Sequence, residues 1–208
     1  DLSHHYHIIA VDAIEHRKYI SVISLRLRDS SGGAYRHIHL FTIELWELLR
    51  IIMLSCAKRL RKELANIKQN GDDQIEIFLR DEENIRLWTA FIKGPPDTPY
   101  YGYKFELRID VGDEYPLAPP SIKFVTKCFH PNVHFQTGEI CLDILKREWS
   151  PAWSLQSACR AIISLLQDPA ADSPLNCDAG NMIRANDIRA FNSVAKMYAV
   201  ECAPVATT

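Results

Sequence analysis

A strict alternation of apolar and charged residues runs from Tyr103 to Asp110, in the sequence YKFELRID, and constrains the fold more than any other feature. Neighbouring side chains of an extended chain point to opposite faces, so this segment has one apolar and one charged face. Such a strand suits an antiparallel sheet that packs on a core with one side and meets water with the other. The segment therefore predicts a half-buried antiparallel strand.

Three other segments have the composition of strands and are separated by proline-rich turns: Ile75–Leu79, Leu87–Ile92 and Ser121–Val125. A helix is predicted before them, because apolar residues recur there at spacings of three and four until Asn70-Gly71-Asp72 ends the pattern. The predicted apolar face of this helix consists of Ala57, Leu60, Leu64 and Ile67.

Two helices are predicted after residues 126–153, a long segment with little periodicity. Ser154 is placed to cap the first of them, and the last helix follows Asp187. Their predicted apolar faces are Leu155, Cys159, Ile162 and Leu166, and then Ile188, Phe191, Ala195, Tyr198 and Cys202. The order of elements predicts an α+β fold with an N-terminal helix, a four-stranded antiparallel sheet, a long irregular segment and C-terminal helices.

The composition changes sharply near residue 52. Residues 1–52 contain six of the eight histidines and neither proline nor cysteine, whereas residues 53–208 contain all eleven prolines and all six cysteines. We predict an N-terminal extension of unknown status over residues 1–52 and one folded domain over residues 53–208. The extension includes a predicted strand, Tyr19–Leu27, and a predicted helix, Ile43–Leu54. A natural start at Met53 is the alternative that the sequence leaves open.

Charge and hydropathy weigh against two classes of function. A net charge of −2 gives no support for nucleic-acid binding. No apolar run approaches the roughly 20 residues that cross a bilayer, so we expect no direct membrane insertion. The sequence begins with Asp1, which indicates a fragment or a processed chain, and it has no secretory signal pattern. We therefore expect an intracellular protein.

The spacing of the six cysteines fits neither a zinc module nor a disulfide framework. We expect reduced thiols, no metal site and no cofactor. Four of the cysteines are predicted to be packing residues: Cys56, Cys159, Cys177 and Cys202. The exposure of Cys128 is left open.

Cys141 lies in the irregular segment, nine residues after Asn132 of the run His130-Pro131-Asn132. A cysteine in such a segment can act as a nucleophile, and an asparagine amide can donate to an oxyanion formed at its sulfur. One cysteine and one asparagine at this spacing are common by chance, however. On these residues alone, a buried packing thiol is the better interpretation of Cys141.

Six motifs in a fixed order change that interpretation. From Lys58 to about Tyr198 the sequence resembles ubiquitin-conjugating enzymes. The motifs are KRLRKEL at 58–64, GPPDTPY at 94–100, YPLAPP at 115–120, HPN at 130–132, ICLDIL at 140–145 and WSPA at 149–152. The resemblance implies the fold of that family and an active transferase, which accepts ubiquitin from the activating enzyme of an ATP-dependent pathway and passes it to a substrate.

The resemblance also implies roles for single residues. Cys141 matches the cysteine that carries ubiquitin as a thioester, and Asn132 matches the asparagine that supports the oxyanion or the loop around it. His130 matches a structural histidine, so we predict no Cys–His dyad. Asp143 and Ser173 border the catalytic position. Many relatives have aspartate at the site of Ser173, so the resemblance implies no carboxylate at this position to assist attack by lysine, and the serine offers a site for phosphorylation.

Partner contacts follow from the same resemblance. Lys58 and Arg59 match a basic pair that is used towards the activating enzyme and ligases. Leu117, Pro151 and Ala152 match two loops that seat the RING domains of ligases. Leu117 is smaller than the aromatic residue of most relatives, a difference that bears on the choice of ligase.

Several runs point to the peroxisomal member of the family. One residue more than usual separates Asn132 from Cys141, and the runs HPNVHFQTGEICLDIL, WSPAWSLQS and DSPLNCD are similar to that member. The resemblance implies ubiquitin transfer to the peroxisomal import receptor. It also implies a cytoplasmic enzyme that a membrane-anchored partner recruits to the peroxisomal surface.

Two alternatives stay open at this point. One is a non-catalytic ubiquitin-binding adaptor of the same fold, although adaptors usually lack the cysteine that this chain keeps. The other is a conjugating enzyme for a different ubiquitin-like modifier. A charging assay with purified modifiers distinguishes all three.

Overall fold

A computed structural model of the chain describes residues 55–206. The predicted strand Tyr19–Leu27 and the predicted helix Ile43–Leu54 lie outside the described residues. The division of the chain between residues 52 and 53 also stays a prediction. None of the helices that the structure describes is long and apolar enough to cross a membrane.

The first described helix, α1, covers residues 55–69. Leu60 is fully buried, and Leu64 and Ile67 pack against the core, so three of the four residues of the predicted apolar face are confirmed, whereas Ala57 is only half-buried. The helix ends before Gly71, as the turn signal predicted. Glu63 is also buried on this face, which the periodicity did not predict.

Four strands form one antiparallel sheet in the order β1-β2-β3-β4. They are β1 (Ile75–Leu79), β2 (Leu87–Lys93), β3 (Lys104–Asp110) and β4 (Ser121–Phe124). Leu107 of β3 lies opposite Ala90 of β2 and Phe124 of β4. Phe105, Leu107 and Ile109 are fully buried, so the apolar face of the alternating segment packs on the core as predicted.

Three helices follow the irregular segment: α2 (Leu155–Gln167), α3 (Cys177–Arg184) and α4 (Ile188–Cys202). Ser154 caps α2 by accepting the backbone N–H of Ser157, as predicted. The sequence did not predict α3, whose buried residues are only Ala179 and Gly180 and therefore give no apolar periodicity.

The apolar face predicted for α4 included one residue that does not belong to it. Ile188 is 44 % exposed, because it is the first residue of the helix and lies beside its exposed cap. The helix packs through Phe191, Ala195 and Ala199, which recur at a spacing of four.

The cysteines divide by burial. Cys56 and Cys159 are fully buried, which confirms them as packing residues, and Cys128 is buried as well. Burial raises the pKa of the Cys159 thiol to about 12, so this thiol stays protonated at neutral pH. Cys177 was wrongly predicted to be a packing residue: it is exposed at the first position of α3. Cys202 is half-buried.

Candidate active site

His130 is fully buried, and both of its ring nitrogens are hydrogen-bonded. Nδ1 accepts the backbone N–H of Asn132 at 3.1 Å, so Nε2 carries the proton and donates to the carbonyl of Leu165 at 3.0 Å. Burial lowers the pKa of His130 to about 4. The ring is therefore neutral near pH 7, and it ties the irregular segment to α2.

The side chain of Asn132 holds the loop that follows α2. Its Nδ2 donates to the carbonyl of Ala170 at 2.8 Å, and its Oδ1 accepts the N–H of the same residue at 2.9 Å. Its amide donor is thus engaged with the loop. Of the two roles that the resemblance implies for Asn132, this geometry corresponds to support of the loop around the oxyanion.

A second pair of hydrogen bonds holds the other end of that loop. The carbonyl of Pro131 accepts the N–H of Leu175 at 2.8 Å and the N–H of Asn176 at 3.0 Å. Asn176 in turn caps α3 through its side chain. Ser173 lies between the two anchored ends and is exposed.

Backbone hydrogen bonds determine the position of Cys141. Its N–H donates to the carbonyl of Asn132 at 2.8 Å, and the neighbouring pair Val133 and Ile140 forms a β-bridge. The intervening turn needs Gly138, which has φ +70° and whose Cβ would lie 1.9 Å from the carbonyl oxygen of Phe124. Cys141 itself is half-buried, so the structure brings Asn132 and an accessible thiol together.

The residues after Cys141 form a 3₁₀ turn, Asp143–Leu145. Asp143 is exposed, and its carboxylate pairs with Arg147 at 3.2 Å. Lys146 returns towards the cysteine, with Nζ at 3.8 Å from Sγ. Sequence reasoning missed Lys146, because an irregular segment has no periodicity that indicates the direction of a side chain.

A cleft of about 250 Å³ opens beside this turn. Its walls come from β4, from the segment around Cys141 and from the anchored loop. They include Ile122, Lys123, Glu139, Ile140, Lys146 and Leu175. Among the described residues, no group of three or more His, Cys, Asp or Glu side chains is placed to hold a metal ion.

The two loops predicted to seat a ligase are joined to each other. The indole N–H of Trp149 donates to the carbonyl of Pro116 at 2.8 Å. Leu117 is 72 % exposed beside this bond, and Pro151 and Ala152 are exposed on the partner loop. An apolar, solvent-exposed surface is thereby formed from segments far apart in the sequence.

Helix α1 is connected to the same loops through a buried carboxylate. Glu63 accepts hydrogen bonds from Arg59 Nε at 2.6 Å and from the Tyr115 hydroxyl at 2.6 Å. The guanidinium of Arg59 also donates to the carbonyl of Trp153 at 2.9 Å, whereas Lys58 is exposed. The two residues of the predicted basic pair therefore differ: Lys58 is exposed, and Arg59 is largely engaged within the domain.

A family model described as ubiquitin-conjugating enzyme matches residues 59–199, more than half of the chain. The chain belongs to the ubiquitin-conjugating enzyme family. Among its relatives in this family, the ubiquitin-conjugating enzyme E2 pex4 of Dictyostelium discoideum is 58 % identical over 68 % of the chain and 95 % of its own length. Protein PEROXIN-4 of Arabidopsis thaliana is 55 % identical over 70 % of the chain and 94 % of its own length.

A solved structure in the family has the same architecture. It is described as the H. polymorpha ubiquitin conjugating enzyme Pex4p in complex with the soluble domain of Pex22p. It is 36 % identical, covers 72 % of this chain and 98 % of its own, and superposes with a TM-score of 0.69. The predicted fold, family and likeness to the peroxisomal member are thus confirmed. As a ubiquitin-conjugating enzyme, the protein is a transferase whose reaction partners are ubiquitin and the activating enzyme.

Proposed function

We propose that Cys141 accepts ubiquitin as a thioester and that the enzyme passes it to a peroxisomal import receptor. The observation that carries the proposal is the placement of a half-buried, accessible thiol by the backbone of Asn132, inside a chain of this family. The buried thiols Cys56, Cys128 and Cys159 lack such access.

The proposed reaction has two transfers. In the first, the thiolate of Cys141 attacks the carbonyl carbon of the thioester on the activating enzyme, and the thiolate of that enzyme leaves. In the second, a thiol or amine of the substrate attacks the new thioester, and the Cys141 thiolate leaves. Asn132 would keep the Ala170 loop beside the thioester during both steps, through hydrogen bonds at 2.8 and 2.9 Å.

We also propose that a RING-type ligase docks on Lys58, Leu117, Pro151 and Ala152. The exposure of Leu117 supports this, since a large apolar side chain that is 72 % exposed suits the centre of an interface. The hydrogen bond between Trp149 and Pro116 would hold both loops in one arrangement for the ligase. Arg59 would stabilise this surface from within the domain, through its hydrogen bonds to the carboxylate of Glu63 and to the carbonyl of Trp153.

For location, we propose a cytoplasmic enzyme that a membrane-anchored partner recruits to the peroxisomal surface. Two relatives above 50 % identity carry peroxin names, and a structural neighbour was solved with the soluble domain of a partner protein. A tagged copy of the full chain should be found on peroxisomes and should co-purify with a peroxisomal membrane protein. A diffuse distribution in cells with intact peroxisomes would count against this part of the proposal.

The chemistry is tested by charging the full chain with activating enzyme, ATP and ubiquitin. The wild type should form an adduct that a reducing agent removes, and Cys141→Ser should form none of that kind. Cys177→Ser is the matched control, because Cys177 is exposed but lies on α3, and it should charge like the wild type. A reductant-sensitive adduct that persists in Cys141→Ser would overturn the assignment of Cys141.

The same assay separates the alternative functions. Binding of ubiquitin without any covalent adduct would indicate an adaptor. Preferential charging with another purified modifier in a direct competition would indicate a different pathway.

A further inference from the structure

Gly180 lies on the buried side of α3 and leaves room for the ring of Pro174. A Cβ at Gly180 would lie 2.7 Å from both the Cβ and the Cγ of Pro174. Carbon atoms in contact keep about 3.5–4.0 Å between them, so a larger residue fits here only if the proline moves. The loop beside the candidate active site thus rests directly on the backbone of α3.

Asn176 belongs both to this loop and to the start of α3. Its N–H donates to the carbonyl of Pro131 at 3.0 Å, and its side chain caps the helix by accepting the N–H of Ala179 at 3.2 Å. Its own carbonyl accepts the N–H of Gly180 at 3.0 Å. The chain therefore folds back over the first turn of α3, where Pro174 meets the helix that follows it.

The residue after Pro174 connects this contact with the active site. Leu175 is 36 % exposed and lines the cleft together with Ile140, which directly precedes Cys141. The peptide unit between Pro174 and Leu175 is planar and rigid, so movement of one residue passes to the other. A ring pushed off α3 would therefore tilt Leu175 at the cleft or strain its 2.8 Å hydrogen bond to the carbonyl of Pro131.

The position of Cys141 itself has other supports. Its N–H is bound to the carbonyl of Asn132 at 2.8 Å, and the bridge between Val133 and Ile140 lies next to it. These bonds belong to the irregular segment and do not involve α3. The contact on α3 is thus expected to change the surroundings of a thioester while the sulfur stays in place.

We propose that Gly180 is a positioning residue for the discharge of ubiquitin from Cys141, because it admits the ring of Pro174 and so keeps Leu175 in place beside the thioester. The inference rests on the proposed thioester at Cys141. Among the described residues that line the cleft, none belongs to α3, so Gly180 acts only through the loop. Position matters at this scale, since a misplacement of about 1 Å can slow a transfer by about 10²-fold.

The experiment measures charging and discharge separately on the full chain. The enzyme is charged with activating enzyme, ATP and ubiquitin, the ATP is removed, and the thioester is chased with free cysteine or free lysine. Gly180→Ala should slow the chase about tenfold or more with each acceptor that discharges the wild type, and should change the charging rate less than about twofold. Gly71→Ala is the matched control, because a Cβ at Gly71 meets no atom within 4 Å, and it should leave both rates unchanged.

A compensating substitution distinguishes positioning from a loss of stability. Pro174→Gly removes the atoms that the new Cβ would meet, so Gly180→Ala should have little further effect on the chase in that background. The helix should tolerate the change, since alanine is a better helix former than glycine, and the urea midpoint should stay close to that of the wild type. A chase that Gly180→Ala does not slow, or slows by the same factor in both backgrounds, would overturn the proposal.

Pro174→Gly alone keeps the test open if Gly180→Ala does not fold, because it adds no atom to the interior. It takes the ring away from α3, so it should slow the chase and leave charging unchanged, and an unchanged chase would reject the positioning role. The outcomes also separate this inference from the proposed function. Failure of the wild type to form a thioester on Cys141 rejects both, whereas a thioester that Gly180→Ala discharges at the wild-type rate rejects only the role of Gly180.

Discussion

The Tyr115 hydroxyl donates a 2.6 Å hydrogen bond to the carboxylate of Glu63, across 52 residues of sequence. The same carboxylate accepts the N–H of Leu155 at 2.8 Å, where α2 begins. One buried acid therefore joins α1, the loop that carries Leu117 and the start of α2. The helix that carries the predicted basic pair and the loop that carries Leu117 share this internal support.

Tyr115→Phe removes one donor from Glu63 and keeps the ring. We expect a loss of about 1–3 kcal/mol in the free energy of unfolding, because a buried carboxylate is left with fewer hydrogen bonds. Urea denaturation measures the loss. Tyr101→Phe is the matched control, since Tyr101 is 61 % exposed, and it should change stability by less than about 0.5 kcal/mol. Equal effects of the two substitutions would show that the hydroxyl of Tyr115 has no special role.

His130 should make the free energy of unfolding decrease as the pH is lowered. Its pKa is about 4 in the folded protein, below the usual 6.5, so the unfolded chain binds a proton first as pH decreases. The contribution of neutral His130 to the free energy of unfolding is fully present above about pH 6.5 and is lost as the pH falls towards 4. This loss amounts to about 3 kcal/mol.

Urea denaturation at pH 7, 6 and 5 tests this, with His130→Gln as a variant that does not titrate. The free energy of unfolding of the wild type should decrease more steeply than that of the variant. Parallel curves would mean that other groups cause the pH dependence.

Asn132→Ala should release the loop at Ala170 while its other end stays anchored. Amide exchange of Ala170 should accelerate, because its N–H loses the Oδ1 acceptor, and the transfer of ubiquitin from Cys141 should slow. The amides of Leu175 and Asn176 provide an internal control, since both donate to the carbonyl of Pro131. Uniformly faster exchange at all three amides would indicate general unfolding instead.

Leu117→Arg should separate charging from ligase-stimulated discharge. The side chain is 72 % exposed, so we expect stability and charging close to those of the wild type. A RING-type ligase should no longer accelerate the discharge of ubiquitin from this variant, because a charge replaces an apolar contact at the proposed interface. Val125→Arg, at a position that is 54 % exposed elsewhere on the domain, should keep that stimulation.

A chain that starts at Met53 should charge with ubiquitin as well as the full chain does. The family match begins at residue 59, and the predicted site residues lie at residue 58 and beyond. Gel quantification of the thioester over time gives the comparison. A clear deficit in the shorter chain would assign residues 1–52 a part in the reaction.

The sheet and the long helices could be predicted from sequence because their side chains follow a period. The alternation before Asp110 placed β3 to within one residue of its observed start. The short helix α3 gave no such signal, because it buries only Ala179 and Gly180. The exposure of Ile188 could not be predicted either, because it depends on where α4 begins relative to the core.

The residues of the candidate site also differ in whether the sequence could predict them. The position of Cys141 after Asn132, within a collinear set of motifs, was enough to predict the thioester role that stands as our proposal. Glu63 and Lys146 could not be assigned, because their surroundings are tertiary. Glu63 meets a partner 92 residues away, and Lys146 reaches the cysteine only through the direction of a 3₁₀ turn.

Hydrogen bonds to its own main chain fasten both ends of the loop beside the candidate active site. Ala170 contributes its N–H and carbonyl, and Leu175 and Asn176 contribute their N–H groups, so these fastenings do not depend on the loop's side chains. Of the four residues between them, 171–174, Asp172 and Ser173 are exposed and can change identity while both ends keep their places, whereas Pro174 packs on Gly180 of α3. Substitutions at exposed positions of this loop, such as Asp172 and Ser173, should therefore leave the backbone around Cys141 in place.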